Sequence, residues 1–198
     1  TDSTAEANAA YGIGALDAIT TGDHNTAIGK GALSSNTTGQ QNTLIGALAG
    51  DALTDADYNV GIGYQALSGD TLGSRSVAIG RRALATQNFT SATNSYNVAI
   101  GYTAGETITT GQSNILIGGL AGDNFDTESN NLAIGQDALG GAVAGGEYNV
   151  AIGNFALDAL TSADNCVAIG YNAGSAITSG TGNILIGLEA GSSITEGQ

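Results

Sequence analysis

The chain has 198 residues, 41% of them apolar, with 32 glycines and no proline, methionine or tryptophan. Glycine at that level without proline or a three-residue period excludes collagen, and a periodic apolar fraction excludes a disordered chain. The net charge of −14 is relieved by only four cations, Lys30, Arg75, Arg81 and Arg82, so polyanions are repelled and no basic stripe exists to neutralise nucleic-acid phosphates. No apolar run reaches the roughly 18 residues that span a bilayer. The single Cys166 allows no intrachain disulfide.

An Ile-Gly pair recurs at Ile13, Ile28, Ile45, Ile62, Ile79, Ile100, Ile117, Ile134, Ile152, Ile169 and Ile186, and seven of the ten intervals are seventeen residues. Self-similarity at a short fixed period marks a repeat architecture. Residues 1–10 are small, polar and acidic and read as a lead-in or partial coil; residues 11–198 read as a single repeat domain belonging to a longer array. The first coil, from Tyr11, is two residues short. Coils of seventeen follow, except that the one from Val77 has four extra residues, the one from Leu132 has one, and the last, from Ile184, is two short. The four-residue excess, around Gln87–Ser95, predicts a loop protruding from a regular shaft.

Each coil is numbered from the residue three before its glycine. Position one is Val, Thr, Ile or Leu, and position three is Ile. Strand alternation places this pair on one face and the small residues of positions two and four on the other. The β-branched pair is expected to point into the coil, with Ile at position three as the core column, so that Ile117→Asp would melt the rod. The Ala/Gly row is expected outside, where another chain can approach. Position seven is Ala throughout, from Ala15 to Ala190, and predicts a tight interior corner. Position eleven is often apolar (Ile19, Leu53, Ile108, Phe125, Leu160, Ile177, Ile194) and predicts a second short strand. Position seventeen is mostly Asn, which suits a turn and can stack into a ladder. Position eight alternates Leu and Gly in a four-coil super-repeat. Glycine inside every apolar phrase excludes a helix. The fold expected is all-β: a parallel β-solenoid of about eleven coils, each adding roughly 4.8 Å, or about 50 Å in all.

The phrases Asn97-Val98-Ala99-Ile100-Gly101 and Cys166-Val167-Ala168-Ile169-Gly170, with Ala three residues after the glycine, resemble the head repeats of trimeric autotransporter adhesins. The longer stretch from Asn25 to Asn42 is similar to repeats in phage tail fibres. The resemblance implies a left-handed parallel β-roll, three chains around an axis, and attachment to surfaces instead of catalysis. Here the coils are longer, and Asn abuts the first strand residue at Val98, Val150 and Ile184.

Candidate chemistry is sparse. Gly61-Ile62-Gly63-Tyr64-Gln65-Ala66 matches a loose dinucleotide fingerprint, which needs a helix to follow. His24 and Cys166 lie eight coils apart, too far for a nucleophile and its base. Asp51, Asp123 and Asp158 share position nine, and Asp55, Asp57 and Asp164 sit at the later turn; stacked carboxylates of this kind can hold calcium, although these are not in adjacent coils of one column. No pair of carboxylates is singled out for glycan hydrolysis. Tyr64, Tyr102 and Tyr171 share position five, and Tyr58, Tyr96 and Tyr148 precede the corner, where aromatic rows can stack on sugars. Thr20, Thr37, Thr54, Thr71, Thr109, Thr161, Thr178 and Thr195 form a broken column, and a flat threonine array can order water at an ice surface. Asn36-Thr-Thr and Asn88-Phe-Thr are glycosylation sequons. No catalytic, cofactor or metal residue is assigned. The expected role is a structural or adhesive fibre segment, extracellular on a cell surface or virion. Its expected partners are copies of itself, as a homotrimer or an end-to-end filament, and glycans or a host surface. No cofactor is expected beyond a conceivable calcium ion. A calcium- or ice-binding module is the alternative.

Overall fold

The computed structural model describes residues 5–141 and 146–196. Its body is one eleven-stranded parallel sheet. The strands are β1 (Ala9–Tyr11), β2 (Thr26–Ile28), β3 (Thr43–Ile45), β4 (Val60–Ile62), β6 (Val77–Ile79), β8 (Val98–Ile100), β9 (Ile115–Ile117), β10 (Leu132–Ile134), β11 (Val150–Ile152), β12 (Val167–Ile169) and β13 (Ile184–Ile186). Each pairs with the next in the order given, and like stacks on like: Ile28 on Ile45, Ile45 on Ile62, Ile152 on Ile169. A β-solenoid of about seventeen residues per turn is therefore the fold, and no helix is present among the described residues.

The first coil begins earlier than its sequence suggests. Ala9 and Ala10, expected in the lead-in, pair with Thr26 and Ala27, and Tyr11 pairs with Ile28. Tyr11, not Ile13, therefore occupies position three, and the coil has its full seventeen residues. Ile13-Gly14 repeats the dipeptide without the strand.

The two faces of the sheet are the reverse of those expected. Position two is the interior row: Ala27, Leu44, Ala78, Ala99, Leu116, Ala133, Ala151 and Ala168 are fully buried. Positions one and three point outward. Ile28, Ile62 and Ile115 are 40%, 36% and 41% exposed, and the remaining Val and Ile residues of β6, β8, β11 and β12 are half-buried. The cause is the width of the coil. Ala at position seven is buried in every coil from Ala32 to Ala173 and forms the inner corner. Beside it, positions two and eight together hold at most one leucine per turn, and the residue of position eleven, apolar in most coils, fills the rest of the section. That leucine comes from position two or from position eight, not from both. Where Leu44, Leu116 and Leu185 occupy position two, position eight is Gly50, Gly122 and Gly191, and a β-carbon on those glycines would lie 2.9, 2.8 and 2.7 Å from the leucine methyls. Gly105 is likewise filled by Leu116 and Leu84 of the adjoining coils. Ile at position three would overfill so narrow a section, and overpacking of this kind costs about 1–3 kcal/mol.

Position four must be glycine. At Gly101 and Gly118 φ is 149° and 143°, and an added β-carbon would overlap the carbonyl oxygen of the glycine in the next coil. The corner asparagines form the expected ladder. The Asn42 and Asn59 amides donate to Oδ1 of Asn25 and Asn42 at 3.0 and 2.9 Å, and Asn25 Nδ2 donates to the Gly39 carbonyl at 2.8 Å. These side chains are buried and satisfied, as buried amides must be.

Position eleven is buried at Leu53, Ile108, Phe125, Leu160 and Ile177 but starts no strand. The only further pairing among the described residues joins β5 (Gly73–Ser74) to β7 (Thr93–Asn94) in the coil with the excess. That excess is not a free loop. Gln87 and Phe89 are buried. Gln87 Nε2 donates to Asp70 Oδ2 at 2.5 Å and to Ser76 Oγ at 2.9 Å, and its Oε1 accepts from Asn97 Nδ2 at 2.8 Å. It bridges the place where Ser76 interrupts the asparagine ladder. Residues 90–92 are its one run of consecutive exposed residues, and Asn88 and Asn94 are exposed singly.

Candidate interaction face

The outward side of the sheet, with its flanks, runs from position sixteen of one coil through position five of the next. In each layer this is a seven-residue stretch, such as 58–64 or 96–102. The eleven stretches contain none of the 18 acids of the chain, while holding His24 and three of its four cations, Lys30, Arg75 and Arg81. Valine and isoleucine line the middle. An acid-free apolar strip along a chain of net charge −14 is a segregation of charge that strand periodicity does not require.

Aromatic and cationic side chains border the strip on coils four to six. Arg81 lies between Tyr64 and Tyr102, 5.9 and 5.5 Å from their ring centres, and Arg75 lies 4.5 Å over Tyr58. Arg75 Nε also donates to Asn94 Oδ1 at 3.0 Å. Neither arginine joins an ion pair among the described residues; the one pair found there is Arg82 with Glu106, at 2.7 Å. The position-sixteen residues adopt left-handed backbone, φ 61° at Tyr58 and 66° at Arg75, which turns the chain into the strand. Both tyrosine rows flank the same face, a relationship that their separate positions in the repeat conceal.

The acids lie elsewhere. Asp57 Oδ1 accepts from the Gln40 amide at 2.7 Å, Asp164 Oδ1 from the Glu147 amide at 2.8 Å, and Asp55 Oδ1 from Thr38 Oγ1 at 2.5 Å. They tie coil to coil. Asp51 and Asp158 are half-buried, each with one carboxylate oxygen unpartnered, and burial raises both pKa values. Asp123 is pushed up to about 6, first by burial, then by the charges of Asp137 and Glu106. Among the described residues no three His, Cys, Asp or Glu side chains converge as a metal-ligating group.

The remaining candidates have structural partners. Residues 61–66 form β4 and a turn, without the helix a dinucleotide site needs. Cys166 is buried in the asparagine column, its amide donating to Asn149 Oδ1 at 2.9 Å and its thiol contacting the Gly180 carbonyl at 3.1 Å. Eight strand steps separate it from His24, about 38 Å at the usual spacing. The hydroxyls of Thr20, Thr37, Thr54, Thr161 and Thr178 donate to the threonine carbonyl one coil on, at 2.9 to 3.3 Å, so they tie coil to coil. Asn36 is fully buried with neither amide atom partnered, which closes that sequon to modification in the folded chain. Asn88 is exposed.

Comparison with models of protein families, with curated proteins and with solved structures finds no match.

Proposed function

We propose that the chain is a structural segment of an extracellular fibre, on a cell surface or virion, and that it associates laterally with copies of itself through the outer face of its long sheet. The observation that carries this reading is the acid-free strip of half-exposed isoleucine and valine, continuous through the stacked strands. Contiguous apolar patches beyond a few hundred Å² mark interaction sites. Three copies around a common axis bury the strip completely and leave the acidic turns outward, in keeping with the trimer that the resemblance implies. A stack of nearly identical coils is a spacer whose length grows by duplication. Its repeated outer surface suits weak multivalent contact with glycans or a host surface. The role is structural and calls for no cofactor.

Light scattering on the chain at micromolar concentration tests the assembly. The expected mass is three times 19.4 kDa. A clean monomer would remove the basis of the proposal.

A further inference from the structure

The interior of the rod is not continuous. Its buried apolar residues form two clusters, one from Leu16 to Ala56 and one from Ala66 to Ile177. The gap falls between coil three (43–59) and coil four (60–76), where two interior columns lose their apolar side chain in the same turn. Gly61 is the one glycine in the row of position two, and Asp70 is the one acid in the column of position eleven. Coils seven and eight repeat the pattern of positions two and eight with Leu116, Gly122 and Leu139, but Ala133 stands where coil four has Gly61. There the larger cluster runs through without a break.

Asp70 is fully buried, and among the described residues every bond found on its carboxylate comes from coils four and five. Oδ1 accepts from the amides of Gly73 and Phe89 at 3.0 and 3.1 Å, and Oδ2 accepts from Gln87 Nε2. Coil four is thereby bound to coil five, while the column that Leu53 occupies in coil three ends at a carboxylate. Burial pushes that carboxyl above its ordinary range, as a charge enclosed away from water requires. Hydrogen bonds and surface contacts still cross the gap. β3 pairs with β4, the Ser76 amide donates to Asn59 Oδ1 at 2.9 Å, and Asn59 Nδ2 donates to the Gly73 carbonyl at 2.9 Å. Arg75 stacks over Tyr58, and Leu44 reaches over the bare backbone of Gly61. Hydrogen bonds of this kind exchange for bonds to water with little net loss, whereas buried apolar contacts do not.

Coil two is weakened separately. Asn36 holds position eleven there, fully buried with neither amide atom partnered. Coil nine has the same pair at positions two and eight, Ala151 and Leu157 for Ala27 and Leu33, but carries Leu160 at position eleven.

We infer that the rod is two cooperative units joined between coils three and four, and that residues 5–59 open and close at this joint while the coils from Val60 onward stay folded. In a stack whose coils touch only their neighbours, stability is a sum of coil and interface contributions, so one weak interface divides the whole. Contiguous units then open separately, each with its own free energy. The joint belongs to the interior and does not depend on association through the outer face. Its use rests on the fibre role proposed above. Under tension the rod yields first at the joint, where each opened residue spans up to roughly 3.5 Å, against a rise of about 4.8 Å for a whole folded coil. The remaining coils are spared.

Hydrogen exchange read by mass spectrometry, on the full chain across a series of urea concentrations below global unfolding, tests the joint. Peptides within residues 5–59 should lose protection together, at lower urea than peptides from coils four to ten, with the step at coil four. Two variants show whether the units are independent. Asn36→Leu, which copies coil nine, should slow exchange in the first unit about tenfold, the scale of an unpartnered buried amide, and leave the second unchanged. Leu160→Ala should quicken exchange in the second unit about thirtyfold or more and leave the first unchanged. If Asn36→Leu overfills its coil, Leu160→Ala decides alone. A single step common to all peptides, a graded loss inward from the ends, or a variant that moves both units alike overturns the joint. A monomer in light scattering removes the self-association and leaves the joint standing.

Discussion

The inner and outer rows of the long sheet come from the same three-residue strands, yet they obey different constraints. The inner row is limited by volume. It accepts Ala, Gly or Leu at position two, and the Leu/Gly choice at position eight compensates within the coil, as Leu116 with Gly122 shows. The outer row has no such limit inside the monomer. It nevertheless keeps isoleucine at position three from Ile28 to Ile186 and excludes acids from its flanks. A surface row held that uniform answers to something outside the chain, whereas the variable inner row answers to its immediate neighbours.

The largest effects should come from the inner row. Leu116 is fully buried, and its methyls fill the hollows beside both Gly105 and Gly122. Leu116→Ala should destabilise by about 2–5 kcal/mol through lost burial and the cavity left behind, and Leu116→Asp should abolish the folded state; thermal melts followed by circular dichroism measure both. Gly118→Ala comes next. It combines φ of 143° with overlap on the Gly135 carbonyl, and strain of this kind costs about 1–3 kcal/mol before the overlap is added.

The ladder sits between the rows and should respond less. Asn114 Oδ1 accepts from the Asn131 amide at 3.0 Å, and its Nδ2 donates to the Glu128 carbonyl at 2.8 Å. Asn114→Ala removes both bonds, each with a net contribution of about 0.5–1.5 kcal/mol once water can reach the corner; urea titration gives the figure.

The smallest effect concerns Asp123, away from the sheet. Its native pKa of about 6 exceeds the ordinary 3.8. The native state therefore holds its proton to higher pH than the unfolded chain does, and stability falls as pH rises from about 4 to 6 and stays lowered above that. Asp123→Asn should raise the melting temperature at pH 7, with the difference gone below pH 4. The carboxylate is only half-buried, so solvent screening keeps the gain within about 1 kcal/mol.

The period, the parallel stack and the corner ladder were legible because each is a column of identical residues one coil apart. Which face was interior was not legible from alternation alone. Alternation separates Val98 and Ile100 from Ala99 but does not say which set is enclosed, and size alone favoured the larger pair. Two signals in the sequence pointed the other way. Leu44, Leu116 and Leu185 each coincide with glycine at position eight, as co-packed residues do, and no acid falls between positions sixteen and five. The first coil was misplaced for a related reason. Ile13-Gly14 carries the motif, but Tyr11 has the seventeen-residue spacing to Ile28, and spacing governs stacking. Burial of Gln87 was hidden because it depends on the gap that Ser76 leaves one coil earlier.

The division of labour between the rows is tested most directly by Ile117→Asp, followed by sedimentation velocity and circular dichroism on one sample. Ile117 is half-buried on the outer face of β9. The account predicts a chain with the β spectrum of the parent that sediments as a monomer while the parent sediments as an oligomer. Loss of the β spectrum in Ile117→Asp, or an unchanged sedimentation coefficient, would contradict it.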